Sequence, residues 1–448
     1  MALTQDLGRF VADLSFERLP EGAADVARVG FIDTIATMIA GAHDSAPQLL
    51  RRALRPVGGE ATLYFTGERS PAPEAAWING TAGHALDYDD VASLRGHPST
   101  VLVPAILAEG ETLGASGQAM LAAYVAGYET WAELAWRDLG HHHRKGWHPT
   151  GIFGPIGAAA ACASLRRLDA DAAARALALA ASQSSGVMAN FGTMTKPFHA
   201  GRSAHSGLMS ARLAELGFTA SLDALEHPQG FLSAVSPEGA VDRESPMQRA
   251  DNEWKILKYR LGIKKYPACY CTHRALDAML ELLGRHPLKP ADIGRITVSI
   301  SDTHSLILRN HQPQTGLAAK FSMEFAMAAA VISRRAGLAE YTDGFVRRPE
   351  VQELMRKVGV ETNQNYDPEV SGASVFDQVR VELAGGGVLE SEKVARAKGH
   401  ADRPLSEDEL FDKFRTCLDA GGARIVPDVL FHRLRHLEDL SARELTAV

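Results

Sequence analysis

Four short stretches of the 448-residue sequence gather titratable side chains together with glycine and proline. The first is His84-Ala-Leu-Asp87-Tyr-Asp89-Asp90, followed by Gly96-His97-Pro98-Ser99. The second is Gly146-Trp-His148-Pro149-Thr150-Gly151, and the third runs from Asn190 through Thr195-Lys196-Pro197-Phe-His199-Ala-Gly201-Arg202. The fourth is Lys264-Lys265-Tyr266-Pro267, continuing to Thr272-His273-Arg274. Three of them repeat one design: His97, His148 and Lys196 each precede a proline and sit beside glycine, serine or threonine. Proline favours an extended residue ahead of it and is accepted in the first turn of a helix. Each of the three side chains is therefore expected at a helix N-terminus, where free N–H groups and the positive dipole end attract carboxylates. Several such ends converging would make an anion pocket.

Other polar residues have plainer readings. Asp87, Asp89 and Asp90 form an acidic turn, which is the preferred reading for Asp89. His141-His142-His143 reads as a solvated loop, because helical metal ligands need i, i+4 spacing and three in a row point in different directions. His84 with Asp87, Asp89 and Asp90 offers a partial divalent-metal set, but no second cluster at recognisable spacing completes it, so no metal is expected. Lys264-Lys265 is either a surface pair or, with Tyr266-Pro267, a structured approach to a domain junction. Arg144 and Lys145 read as solvent-facing.

The elements that must carry these stretches are mostly helices. Val26 to Ala42 has apolar residues at helical spacing, with Gly41 placed to end it. Helical stretches rich in alanine follow at 117–134, 155–165, 169–186 and 202–216. Their small residues suit close helix packing, although good helix propensity is the reading given most weight. After Tyr266 the pattern changes. Ile293 to Ser301 alternates as a half-buried strand, and 375–393 holds two strand-like runs around Ala384-Gly-Gly-Gly387, which reads as a hairpin. Helical patterns at 273–284 and 320–336 lie between them, and the chain is helical again from Ser406. The expected architecture is mainly α: an all-helical domain of residues 1–264 and 396–448, and a smaller α+β lid domain of residues 265–395.

Composition excludes several functions. A net charge of −7 disfavours a nucleic-acid binder. No apolar run reaches the ~18 residues of a membrane span, and the first residues lack a basic segment followed by an apolar one, so a cytoplasmic protein is expected. Four cysteines (Cys162, Cys269, Cys271, Cys417) make neither a disulfide framework nor an iron–sulfur ligand set.

Taken together the four stretches resemble the MmgE/PrpD family, which includes 2-methylcitrate dehydratase, cis-aconitate decarboxylase and iminodisuccinate epimerase. The likeness is carried by Phe31-Ile-Asp-Thr-Ile-Ala36, by Asn79 through Asp90, and by Gly96-His-Pro-Ser99. It continues in His148-Pro-Thr-Gly151, Thr195 through Gly201, Lys265-Tyr-Pro267 with Thr272-His273, and Ala319-Lys-Phe-Ser322. The resemblance implies a large helical domain, a smaller lid, a homodimer, an active site in the cleft between domains, and no metal or organic cofactor. Matched by motif, the family's catalytic positions fall on Asp87, His97, His148, Lys196 and His273. Arg202, Lys265, Tyr266 and Lys320 follow as substrate-binding candidates. In that scheme Lys196, with Arg202 or Lys265, stabilises charge on a small polycarboxylate. His97 and His148 move protons, Asp87 polarises an imidazole, and His273 completes the site from the lid.

The implied reaction is a hydro-lyase step on a 2-methylcitrate-like acid, with epimerisation of a dicarboxylate such as iminodisuccinate and cis-aconitate-type decarboxylation as alternatives. Decarboxylases of the family carry threonine where this chain has Val91. Relatives often carry tyrosine in the stretch before His148, which here reads His143-Arg-Lys-Gly146; in an epimerase mechanism His143 or Lys145 would have to take its place. A non-catalytic carboxylate-binding dimer and a metal hydrolase are the readings from other classes.

Overall fold

The computed structural model describes residues 3–92, 96–138, 140–247, 253–370 and 372–447. Its buried apolar side chains separate into two clusters. One draws on residues 3 to 263 and then on 410 to 445; the other contains Phe191 and residues 266 to 394.

The first cluster is built mainly from helices, with a two-stranded ribbon, Ala61–Leu63 with Glu68–Ser70. Its central members are Ala72–Ala85, Ser99–Leu113, Gly117–Trp136, Pro149–Leu165 and Thr195–Glu215. Several are buried along nearly their whole length, as expected for helices that are apolar on every side. The abundance of small residues, read in the sequence chiefly as propensity, proves to be a packing requirement. A Cβ on Gly201 would lie 2.2 Å from the Trp77 carbonyl, and one on Gly80 would lie 2.9 Å from the Gly201 Cα. Backbones this close leave no room for a side chain, so Thr195–Glu215 lies directly on Ala72–Ala85. The C-terminal helices Glu407–Ala420 and Pro427–Arg435 return to this body and pack on Ala23–Gly41.

The second cluster covers a four-stranded sheet in the order Val358–Asn363, Ile293–Ser301, Gln378–Leu383, Val388–Glu390. The expected strand spans Ile293–Ser301, with Ile296, Val298 and Ile300 fully buried on one face. The hairpin is also present, Gln378–Leu383 pairing antiparallel with Val388–Glu390. Val358–Asn363 was not foreseen. It runs parallel to Ile293–Ser301, which requires a long crossover, and the intervening chain includes the Met323–Ser333 helix.

The chain crosses between the two bodies near 263 and again near 399, and the crossings are hydrogen-bonded, Ile263 N–H donating to the Gly399 carbonyl at 2.8 Å. Beside them, Val91 and Gly262 exchange both backbone hydrogen bonds. Lys320, buried, donates to the carbonyls of Leu86 in one body and Pro267 in the other. No helix among the described residues is long and apolar enough to cross a membrane.

Candidate active site

A cavity of about 210 Å³ lies where the two bodies meet, lined from the helical side by Asp87, Gly96, His97, His148, Lys196 and Lys264. The lid side contributes Tyr270, Arg274, His304, Phe321 and Arg396.

The proline rule places three of these groups as expected. His97 immediately precedes Pro98 and the helix Ser99–Leu113. His148 is the N-cap of Pro149–Leu165, and Lys196 lies in the first turn of Thr195–Glu215. Gly96, at φ 130°, lets the chain turn into His97; a Cβ there would meet Trp131 and the Thr150 hydroxyl at 3.0 Å each.

Asp87 follows the Ala72–Ala85 helix with φ 49°, a left-handed conformation that is uncommon outside glycine. That turn aims its carboxylate at two buried ammoniums: Lys196 Nζ lies 2.7 Å and Lys264 Nζ 2.9 Å from the same oxygen, Oδ1. Lys264 also donates to the Asp87 carbonyl. Burial works against ionisation of Asp87, but the two ammoniums hold its pKa well below the usual carboxylate range. Lys196 Nζ lies 5.4 Å from the Phe191 ring centre and 5.3 Å from that of Phe321, so aromatic faces surround the cation.

The expectation that Asp87 polarises an imidazole gives way here, because Asp89 does that work. Read from sequence as part of a turn, Asp89 is fully buried. Its carboxylate lies 2.8 Å from His84 Nδ1 and 3.1 Å from His97 Nδ1. His97 Nδ1 is also 2.8 Å from the Asp90 carbonyl. Facing only acceptors, Nδ1 carries the proton and Nε2 holds the lone pair. Burial, with the Lys196 and Lys264 ammoniums and against Asp89, lowers the His97 pKa. Burial, Lys196 and the neighbouring His199, whose Nδ1 is 3.0 Å away, hold His148 well below its usual value. Both rings are thus neutral near pH 7, the state in which an imidazole accepts a proton.

Asp90 faces elsewhere. It is hydrogen-bonded to the Ser99 hydroxyl, and burial beside Asp33 pushes its carboxyl well above the usual range. It therefore does not join His84 and Asp87 in a ligand set. His84, Asp87, Asp89 and His97 do bring potential ligand atoms within 4.8 Å of one another. However, Asp87 already serves two ammoniums and Asp89 two imidazoles, so a divalent cation there would stand beside Lys196 and Lys264.

Other expected site residues lie away from the cavity. Arg202 stacks over Trp77 at 5.2 Å and contacts His205. Lys265 is exposed, with its ammonium over the Tyr266 ring; its neighbour Lys264, which shares the run and was passed over, is the buried cation. Tyr266 donates to Asp277 at 2.7 Å. His273 is fully buried among Tyr266, Tyr270 and the Ala268 carbonyl and does not line the cavity. Lys320 is spent on the two carbonyls already described, and burial lowers it to about 8. The three histidines at 141–143 are not a solvated loop: His142 is buried and all three line the cavity. Lys145 is exposed. Arg144 is largely exposed but reaches the lid, donating to the Thr303 and Tyr366 hydroxyls.

Known proteins resemble this chain along most of its length. Residues 5–244 match the MmgE/PrpD N-terminal domain and residues 266–424 the MmgE/PrpD C-terminal domain. Cis-aconitate decarboxylase of Mus musculus is 28% identical over 386 residues, covering 83% of this chain and 77% of that protein. The human protein of the same name is 28% identical over 382 residues, covering 83% and 78%. Cis-aconitate decarboxylase of Aspergillus terreus is 25% identical over 465 residues, covering 98% and 92%.

Proposed function

This chain belongs to the MmgE/PrpD family, and from that premise we propose that it is a cofactor-independent lyase acting beside a carboxylate of a small di- or tricarboxylic acid. The observation that carries this reading is the wall on which Lys196 and Lys264 share one carboxylate oxygen, next to the neutral imidazoles of His97 and His148. A Cα–H next to a carboxylate is a very weak acid, because the carboxylate resists a second negative charge. Fixed ammoniums with little access to water stabilise that charge as it develops. A neutral imidazole then takes the proton. Lys196 and Lys264 hold the reacting carboxylate, His97 Nε2 or His148 is the base, and Asp87 keeps the two ammoniums together.

Within that class the proposed reaction is loss of water from a hydroxy acid of the 2-methylcitrate kind. The second reading, loss of CO2 from an acid of the cis-aconitate kind, is favoured by the names of the relatives. The protein, treated with chelator, is incubated with citrate-, aconitate- and iminodisuccinate-type acids and followed by mass and proton NMR. Loss of water supports the first reading and loss of CO2 the second. Silence across the panel, or activity that requires added metal, would sink both.

A further inference from the structure

Two neutral imidazoles and two ammoniums account for removing a proton beside a carboxylate. They leave the departing hydroxyl without an acid, since Lys196 and Lys264 are shared between Asp87 and the reacting carboxylate. Tyr270 lies in the short turn Tyr270–Thr272, ahead of the His273–Arg285 helix, and lines the same cavity. Its ring packs against His273 with centres 4.9 Å apart. Its hydroxyl is buried and has no hydrogen-bond partner among the described residues. Buried donors in folded proteins are almost always paired, so an unpaired one on a residue that lines a cavity points to a partner that arrives with the ligand. The hydroxyl stands over Gly262, where an added Cβ would lie 3.5 Å from it and 3.2 Å from Val91. Gly262 is itself bonded through its backbone to Val91, next to Asp90. The phenol therefore lies close to the segment that leads from Asp87 to Val91.

We propose that Tyr270 is a catalytic residue, its phenol donating a hydrogen bond to the hydroxyl of a bound hydroxy acid and passing its proton to that oxygen as the C–O bond breaks. This rests on the hydro-lyase reading. An imidazole takes the Cα proton, the C–H electron pair becomes the second bond of the alkene, and the C–O pair leaves on oxygen. That oxygen takes the Tyr270 proton and departs as water, and the tyrosinate regains a proton from the imidazolium. Burial raises the phenol above its usual value, so it is protonated throughout the neutral range. A departing hydroxide, whose conjugate acid lies at about 15.7, is basic enough to take the proton.

Tyr270→Phe keeps the ring against His273 and removes only the hydroxyl. Calorimetry with citrate and with propane-1,2,3-tricarboxylate, the same acid without its hydroxyl, gives the first test. The native protein is expected to bind citrate about tenfold more tightly or better, and the variant to bind both alike. Equal binding by the native protein would overturn the role of Tyr270 while leaving the proposed function standing; binding of neither acid would overturn both. With the hydroxy acid that the native protein dehydrates, the variant should lose water about 100-fold more slowly yet exchange the Cα proton with D2O at close to the native rate. Parallel loss of exchange and dehydration, or retention of both, would overturn the assignment.

Discussion

At the scale of single residues, the site depends on where charge is fixed and where it is withheld. Asp87 balances two ammoniums that have little access to water. Asp87→Asn keeps its shape and removes that balance, leaving buried cations uncompensated. The expected cost is about 3–5 kcal/mol of stability, read by urea unfolding, and a loss within about 1 kcal/mol would show that water already solvates the lysines. Lys196 also helps hold His97 and His148 neutral. Replacing it with methionine should raise both imidazole pKa values, so the acid limb of kcat/KM for the residual activity should move to higher pH. An unmoved limb would show that neither histidine is the base. Sequence made the proline-flanked groups His97, His148 and Lys196 legible because a local rule, X-Pro at a helix start, fixes where each side chain is presented. It could not separate Asp87 from Asp89 or Lys264 from Lys265. Which member of an adjacent pair faces inward depends on a left-handed φ at Asp87 and on the chain crossing near 263, and neither has a local signal.

At the scale of elements, helix-to-helix distance sets the position of the lysine. The Thr195–Glu215 helix carries Lys196 in its first turn and touches Ala72–Ala85 through Gly201. Gly201→Ala would place a methyl 2.2 Å from the Trp77 carbonyl and push the helices apart, at an expected cost of about 1–3 kcal/mol. Activity should fall with it although the residue touches no substrate. Calorimetric unfolding and turnover together check this, and a variant with native melting temperature would contradict the packing argument. The helices themselves were legible because their periodicity is local. The parallel strand Val358–Asn363 was not, since its partner, Ile293–Ser301, is distant in sequence and a glycine interrupts its short apolar pattern. His273 shows the same limit: its motif identifies the turn before the His273–Arg285 helix, but packing between Tyr266 and Tyr270 turns its ring into the lid.

For the whole molecule, burying neutral histidines ties stability to pH. Burial, joined by nearby cations and opposed at His84 by the Asp89 carboxylate, lowers His84 to about 3, His199 to about 4 and His304 to about 3. In the unfolded chain these groups titrate near 6.5. Below that value the unfolded state binds protons that the folded state refuses, so the contribution is complete above about pH 6.5 and is lost as pH falls toward 3–4. Burial raises the carboxyls of Glu129 to about 7 and Asp377 to about 6, which works the other way. The histidine share is therefore read by difference: urea midpoints measured from pH 8 to 5 should fall less below about pH 6.5 in His304→Gln than in the native protein, and equal falls would contradict the neutral assignment. The two bodies meet at the cavity, which takes Lys196 and Lys264 from one and Tyr270, Arg274 and Phe321 from the other. The most direct measurement is exchange of the Cα proton of a bound di- or tricarboxylic acid in D2O, followed by NMR for the native protein, Lys196→Met and His97→Asn with His148→Asn. Native exchange that falls at least about 100-fold in Lys196→Met and in the double histidine variant is the predicted result. Native-like exchange in either would place the chemistry somewhere other than the Lys196, Lys264 and histidine wall.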